Sequence, residues 1–261
     1  MKILCIGDVV SAEGREMLRA HLPRLRREHQ VDFCIVNGEN AAMGNGIDRS
    51  SMEEIIFAGA DVVTGGNHSF QKKGSDDVLE EMQLLLRPAN SPGIYGRGFC
   101  RVDTWNYSIL VINLQGMLYL PEGDNPFVCV SRLLEEQSRP EDIIVVDFHA
   151  EASSEKQAMG YHLDGKVSLV FGTHTHVLTA DEQILPGGTG YITDIGMTGV
   201  RDSILGKAIE PALHNFIHWG DPTARQKTRD AHGRMRLTGI VAQIDDKSKK
   251  CVAIERLCIE A

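Results

Sequence analysis

The sequence has no long apolar run, no paired cysteines and no surplus of basic residues. No segment approaches the length of a transmembrane helix, and the apolar run at the N-terminus ends at Asp8, too early for the core of a signal peptide. The six cysteines are scattered and form no C-x-x-C pair. We therefore expect reduced core thiols of a cytoplasmic protein rather than disulfides or metal ligands.

The charge balance is acidic: 36 Asp and Glu residues oppose 27 Lys and Arg residues, for a net charge of -9. Tight, nonspecific binding of long nucleic acid needs a basic face, so this balance argues against it. A small phosphorylated ligand stays compatible with the charge, because a bound metal ion can reverse the local field. We expect neither a membrane nor long nucleic acid as a partner.

Apolar runs and helical spacing outline an α/β protein. They predict strands at 2–7, 33–37, 61–64, 108–114, 143–148, 168–171, 190–193, 236–245 and 251–259, and helices at 13–29, 50–58, 75–86, 127–137 and 207–218. Ser50 or Ser51 is expected to cap the second helix, residues 87–100 to form a loop and 220–234 a mobile excursion. Strands alternate with helices and later dominate, which indicates a layered domain with a mixed sheet. With no repeat or linker, residues 1–261 are predicted to form one domain.

Polar side chains follow the carboxyl end of one predicted strand after another, where catalytic groups gather in open α/β sheets. They are Asp8, Glu39 with Asn40, Asn67 with His68, His149, and His174 with His176. Each has an ordinary alternative: a helix cap for Asp8, turn residues at 39–40 and 67–68, and a half-buried histidine at 149. Independent caps and turns would not place only ligand-capable side chains at five strand ends, so the set favours one shared site.

These donors predict a metal centre. On a strand, His174 and His176 would point to one face and could clamp an ion. The set mixes carboxylate, amide and imidazole without thiolate, which suits Mn, Fe or Zn. It exceeds the needs of one tetrahedral ion, whereas two ions about 3.5–4 Å apart with a bridging carboxylate would use it fully and clamp an in-line displacement at phosphorus.

The same stretches, in this order, resemble the calcineurin-like metallophosphoesterases, and among them most closely the YmdB-like family of bacterial phosphodiesterases. The matching pieces are I-G-D-V-V, V-N-G-E-N-A-A, G-N-H, L-R-P-A-N, I-N-L-Q-G, D-F-H-A-E-A-S-S-E-K, G-T-H-T-H-V and I-T-D-I-G-M-T-G. They extend from the first strand to about residue 206. Two motifs depart from the wider superfamily as the YmdB-like branch does: Val10 replaces the histidine of D-x-H, and Glu39 stands where a bridging Asp is usual.

The resemblance implies a fold of two packed mixed β-sheets flanked by α-helices and a site with assigned roles. Asp8, Glu39 and His176 would hold the first metal. Glu39 would bridge to a second metal that Asn67, His149 and His174 complete. Asn40 would contact the first metal or the phosphate, and His68 would be the catalytic acid that protonates the leaving oxygen.

The resemblance also implies the reaction: hydrolysis of small phosphodiesters, 2′,3′-cyclic nucleotides among them, by hydroxide generated at two transition metal ions (Fe or Mn first, Zn as a third option) in a homo-oligomer. The alternatives are a phosphomonoesterase with the same metals and a regulatory metal- or nucleotide-binding protein with little turnover. The absence of an Arg or Lys clamp near the motifs favours a diester, and His68 favours an enzyme.

Roles for the flanking carboxylates stay open from sequence. Asp147, Glu151 and Asp194 either orient ligand imidazoles or serve as caps and surface charges. Asn90 and Met197 lie in loops that match the family and are candidates for the lining of the substrate pocket.

Overall fold

The computed structural model of the protein describes residues 1–43, 45–93, 95–120 and 123–261. Its strands are β1 Lys2–Ile6, β2 Asp8–Val9, β3 Phe33–Asn37, β4 Val62–Thr64, β5 Phe99–Asp103, β6 Ser108–Gln115, β7 Asp142–His149, β8 Leu169–Thr173, β9 Gln183–Ile184, β10 Gly190–Ile192, β11 Met197–Val200, β12 Met235–Ile244 and β13 Cys251–Glu260. Its helices are α1 Ser11–Glu28, α2 Arg49–Ala58, α3 Ser75–Glu81, α4 Pro126–Gln137, α5 Ser153–Leu163 and α6 Ile209–Ile217.

The described strands form two mixed sheets. The first has the order β2-β11-β12-β1-β3-β4, with β13 paired to β12, and the second has the order β5-β6-β7-β8-β10-β9. Strands β1, β3 and β4 are mutually parallel, as are β6, β7, β8 and β10. The expectation of two mixed sheets with flanking helices is confirmed.

The two sheets pack face to face through an apolar core, and helices cover their outer faces. On β1, Ile3 and Cys5 join the core between the sheets, whereas Leu4 and Ile6 pack against α1 and α2. On β7 the same alternation sends Val145 to the core between the sheets and the next side chains toward α4 and α5. Successive side chains point to opposite faces, so strands covered on both sides read as continuous apolar runs.

Several local predictions are wrong. Helix α5 was not predicted, because its buried face carries Glu155 and Lys156 beside Met159 and Leu163 and so lacks an apolar stripe. The predicted loop at 87–100 contains the start of β5, and its residue 94 lies outside the described residues. Helix α2 is capped not by Ser50 or Ser51 but by Asp48, whose carboxylate accepts from the Ser51 amide at 2.9 Å.

Within the described residues, no helix is both long enough and apolar enough to cross a bilayer. All six cysteines are free, and five of them are buried.

Candidate metal centre

Both sheets deliver polar side chains to one place at the carboxyl ends of their parallel strands. The first sheet contributes Asp8 just beyond β1, Glu39 and Asn40 beyond β3, and Asn67 and His68 beyond β4. The second sheet contributes His149, the last residue of β7, and His174 and His176, which follow β8. The structure therefore brings all eight predicted site residues together, as the contacts below describe.

Three of these side chains converge on one nitrogen atom of a fourth, the fully buried His149. Its Nε2 lies 3.1 Å from Glu39 Oε2, 3.0 Å from Asn67 Oδ1 and 3.1 Å from His174 Nδ1. Candidate ligand atoms of Glu39, His149 and His174 all lie within 4.8 Å of one another. We call Glu39, Asn67, His149 and His174 the closed half of the site.

The remaining donors are spaced more widely, and we call Asp8, Asn40 and His176 the open half. Asp8 is fully buried, and its Oδ1 lies 3.9 Å from both His149 Nδ1 and His176 Nε2. Within the described part of the chain, this oxygen accepts no hydrogen bond. Burying an unpaired carboxylate oxygen is costly, so its position calls for a cation.

Asn40 links the two halves. Its Nδ2 donates to Glu39 Oε1 at 2.8 Å and lies 3.3 Å from His176 Nε2, while its Oδ1 lies 2.9 Å from His68 Nδ1. In this geometry the amide oxygen faces His68 rather than Asp8 and His176.

The hydrogen-bond partners of the imidazoles of His149, His174 and His176 fix their tautomers. His149 Nδ1 lies 2.9 Å from the Thr173 hydroxyl, which donates its own hydrogen to Asp147 Oδ1 at 2.7 Å. The hydroxyl can therefore only accept from His149, so Nδ1 carries a hydrogen and Nε2 faces the site.

The other two imidazoles obey the same rule. His174 Nε2 meets Glu151 Oε2 at 3.0 Å, which leaves its Nδ1 facing the closed half. His176 Nδ1 meets the Leu205 carbonyl at 3.3 Å, which leaves its Nε2 facing Asp8. Each ring thus holds its outward nitrogen as a donor and turns the other inward, the arrangement found around metal-ligating histidines.

The cluster favours positive charge at its centre. Burial alone would lower the pKa of His149, but the carboxylates of Glu39, Asp8 and Asp147 outweigh it and raise that pKa to about 9. Burial and then the charge of His149 lower the pKa of His174 to about 3. Burial opposes ionisation of Glu39, yet His149 and His68 hold its pKa well below the ordinary value. The carboxylates around His149 thus favour a positive charge at this point of the site.

The pKa of Asp8 is shifted in the opposite direction to that of Glu39. Burial raises its pKa well above the ordinary carboxyl value, and the charge of His149 only partly offsets this.

Gly66 lets the backbone pass directly against the closed half. A Cβ atom at this position would lie 2.2 Å from Glu39 Oε2 and 2.4 Å from His149 Nε2. Any other residue would fill the space between these donor atoms, so the glycine keeps this space open.

His174 and His176 follow β8 as predicted, but the extended geometry that would turn both rings to one face is absent. Strand β8 ends at Thr173, and both histidines adopt left-handed backbone conformations, with φ of 100° and 63°. Side chains in this turn reach two different halves of the site, which a flat strand would not allow. Conformations of this kind cost free energy and persist only when the surroundings hold them.

A buried ion pair holds this turn. Lys156 Nζ donates to the Thr173 carbonyl at 2.7 Å and to Asp194 Oδ2 at 2.6 Å. The same Asp194 oxygen accepts from the Thr175 amide at 3.0 Å. Asp194 therefore supports the backbone of the turn and bonds no imidazole, whereas Glu151 contacts His174 directly and Asp147 acts on His149 through Thr173.

Two candidates for the pocket lining have structural contacts instead. Asn90 donates to the carbonyls of Gln115 and Asp124, at 2.8 and 2.9 Å, and is buried. Met197 is buried on β11. Sequence reasoning missed Lys156, Thr173 and the Leu205 carbonyl. Only Thr173 carried a signal, as the residue directly before the histidine pair in G-T-H-T-H.

Comparisons with known proteins agree with one another. A family described as YmdB-like protein matches residues 4–257. A Bacillus subtilis protein named 2′,3′-cyclic-nucleotide 2′-phosphodiesterase is 45% identical over 260 residues, which cover 99% of this chain and 97% of the relative. The crystal structure of a novel phosphatase from Mycoplasma pneumoniae superimposes with a TM-score of 0.92 at 31% identity, over 100% of this chain and 93% of that one. A calcineurin-like phosphoesterase from Bacillus subtilis shares the fold, with a TM-score of 0.55 at 11% identity over 99% and 90% of the two chains.

Proposed function

The chain belongs to the YmdB-like family, and from that premise we propose that it is a metal-dependent phosphodiesterase that hydrolyses small phosphodiesters, 2′,3′-cyclic nucleotides among them. One feature of the site carries the proposal: the unpaired, buried Asp8 Oδ1 lies 3.9 Å from the imidazoles of His149 and His176, and these two rings and that of His174 each turn one nitrogen toward the site. The name of the 45% identical relative supplies the substrate class.

The donors fit two metal ions. Glu39, Asn67, His149 and His174 would hold one ion in the closed half, and Asp8, Glu39 and His176 the other. Glu39 is suited to bridge, because Oε2 contacts His149 while Oε1 faces Asn40 and His68. Oxygen and imidazole donors without thiolate favour Fe or Mn, with Zn as a third option. Such a pair of ions supplies charge to stabilise the phosphoryl oxygens and acidifies a water molecule.

His68 is proposed as the proton donor to the leaving oxygen. Its Nδ1 is surrounded by the acceptors Asn40 Oδ1 at 2.9 Å and Glu39 Oε1 at 3.1 Å, so this nitrogen donates. The backbone amide of His68 also donates to Glu39 Oε2 at 3.1 Å, which fixes the residue against the site. Its side chain is 22% exposed, so Nε2 is the nitrogen that can exchange a proton with substrate.

The acidic residues of the site also set a requirement for substrate binding. The carboxylate of Glu39, whose pKa lies well below the ordinary value, stands at the centre of the site and would disfavour an anionic phosphodiester in the absence of a cation. Binding of substrate therefore depends on prior cation binding, and the two steps should be separable in titrations.

The test is to purify the protein without added metal, measure its metal content, and compare hydrolysis of 2′,3′-cyclic AMP with a generic diester and a generic monoester. About two transition metal ions per chain with diester turnover are expected. Preferential monoester turnover would replace the proposal with a phosphomonoesterase. Bound metal without turnover on any of the three would replace it with a binding protein.

We further propose a homo-oligomer in the cytoplasm that binds no long nucleic acid. The six free cysteines fit a reducing compartment. Phe57 is 95% exposed beside an apolar groove formed with Met52, Ile56, Met82 and Leu84, a surface suited to self-association. Sedimentation of the wild type and of Phe57→Asp tests the assembly: a wild-type monomer, or an oligomer that the substitution leaves intact, contradicts this interface.

A further inference from the structure

We propose that a cavity beside helix α6 binds the nucleobase of the substrate, while the phosphodiester lies over the metal centre. The cavity has a volume of about 670 Å³, within the range of pockets that hold small organic ligands. The residues that matter among its lining are Leu205, Lys207, Phe216, Trp219 and Arg225. This inference rests on the proposed function and adds the part of the site that recognises the base.

The cavity and the metal centre share a wall. Leu205 lines the cavity, and its carbonyl oxygen accepts from His176 Nδ1 at 3.3 Å. Lys207, also in the lining, donates to Asn45 Oδ1 at 3.3 Å, in the segment that follows Glu39 and Asn40. Leu205 lies against the outward side of the His176 ring, so the cavity adjoins the metal centre at this histidine.

The lining offers two aromatic rings on which a base can stack. The rings of Phe216 and Trp219 are nearly parallel, at an interplanar angle of 14° with centroids 6.3 Å apart. Both side chains are largely exposed, at 64% and 85%. Bases stack on such rings whatever their sequence identity, because every base has a π-face. Arg225 adds an exposed positive charge at the same cavity, which suits an anionic ligand in an acidic protein.

The outer wall of the cavity is fastened to α6 by hydrogen bonds. Asn215 donates to the Gln226 carbonyl at 2.9 Å and accepts from the Gln226 amide at 2.8 Å. His214 Nε2 bonds the Ala224 carbonyl at 2.9 Å. These hydrogen bonds hold part of residues 220–234, which were predicted to form a mobile excursion, against α6. One side of the pocket is therefore formed before a ligand binds, which lowers the entropy cost of ordering it on binding.

The direct test uses the intrinsic fluorescence of Trp219. The chain has two tryptophans, and the other, Trp105, lies fully exposed outside the cavity lining. In a Trp105→Phe background, adenosine should quench the emission of Trp219 saturably, and ribose 5-phosphate should not. Adenosine carries no phosphate, so the result does not depend on metal binding or turnover. An absence of quenching by adenosine would overturn the subsite.

The kinetic test compares a substrate that has a base with one that lacks it. Trp219→Ala should raise KM for 2′,3′-cyclic AMP at least about fivefold, as loss of one stacked base implies. It should leave KM unchanged for methyl riboside 2′,3′-cyclic phosphate, and the control Trp105→Ala should change neither. An equal rise in KM on both substrates would overturn the subsite. It would also be overturned if Trp219→Ala left KM unchanged but dissociated an oligomer in sedimentation, because this face would then serve self-association.

These outcomes also separate the subsite from the proposed function. Saturable quenching by adenosine in a protein that hydrolyses no diester would support the nucleobase site and contradict the phosphodiesterase. Diester turnover without quenching by adenosine would support the phosphodiesterase and contradict the nucleobase site.

Discussion

The closed and open halves of the metal centre differ in how close together their donor atoms lie. In the closed half, three neighbours lie 3.0–3.1 Å from a single nitrogen of His149. In the open half, Asp8 Oδ1 lies 3.9 Å from its two nearest imidazoles and accepts no hydrogen bond from the described residues.

Sequence explains the difference. The sequence resemblance places Val10, a buried apolar side chain, where the D-x-H motif of the wider superfamily has a histidine, and valine adds no donor to the open half. A preorganised set of ligands binds its ion with less reorganisation. We therefore expect the closed half to retain its ion more tightly than the open half does.

The largest effect should come from Glu39→Gln, because Glu39 faces both halves. The amide of Gln lacks the negative charge that would balance two bound cations. Both ions should therefore be lost, and turnover should fall to that of chelator-treated protein. Metal analysis after gel filtration and a diester assay measure this. The control Glu136→Gln, on the exposed face of α4, should change neither. Two ions retained in Glu39→Gln would refute the bridge.

His68→Ala should lower turnover and leave the metal content of both halves unchanged. Loss of a general acid typically costs about 10²–10⁴-fold. Added imidazole should restore part of the rate, whereas the exposed control His232→Ala should need no rescue. Full activity in His68→Ala would remove this residue from the mechanism.

Asp8→Asn sharpens the comparison of the halves, because it weakens only the open one. We expect it to lose about one ion per chain on dialysis against a weak chelator and to keep the other. The matched variant His174→Ala should instead lose the ion of the closed half. The two variants loaded with spectroscopically distinct ions, such as Mn and Co, would reveal which half each occupies. Loss of the same ion from both variants would contradict the distinction between the two halves.

The smallest effects should come from the partners that orient the closed half. Thr173→Val removes the hydroxyl between Asp147 and His149 at nearly constant volume, and metal affinity should fall about 10–100-fold, the usual cost of losing such a partner. Glu151→Gln keeps an acceptor for His174 on a side chain that is 50% exposed, so its effect should be smaller. Competitive chelator titration measures both, and a larger loss in Glu151→Gln would contradict the relay through Thr173.

Much of the function was predictable because it depends on side chains that follow strands in the chain. The strand-end motifs carried the resemblance that predicted the family and the fold of two mixed sheets, and the comparisons confirm both. The predicted reaction agrees with the name of the 45% identical relative. Apolar runs in the sequence located β1, β3 and β7, because these strands are buried on both faces.

The rest depends on contacts between distant segments, which no local pattern contains. The Leu205 carbonyl supports His176 through a backbone atom, so its side chain gives no signal. Lys156 is read as a surface residue by any hydropathy pattern, yet it is 1% exposed. The extent of the domain stays a proposal: we propose that residues 1–261 form one unit, because the core between the sheets takes Phe33 from one and Phe171 from the other.

The buried pair of Lys156 and Asp194 also has a consequence for the order of folding. The turn that carries His174 and His176 is held by a helix, α5, that precedes it and by a carboxylate that follows it in the chain. It can reach its strained conformation only after both segments have docked. In hydrogen exchange, the Thr175 amide should therefore open with the core strands rather than with the surface loops, so that local fluctuations cannot release the histidines one at a time.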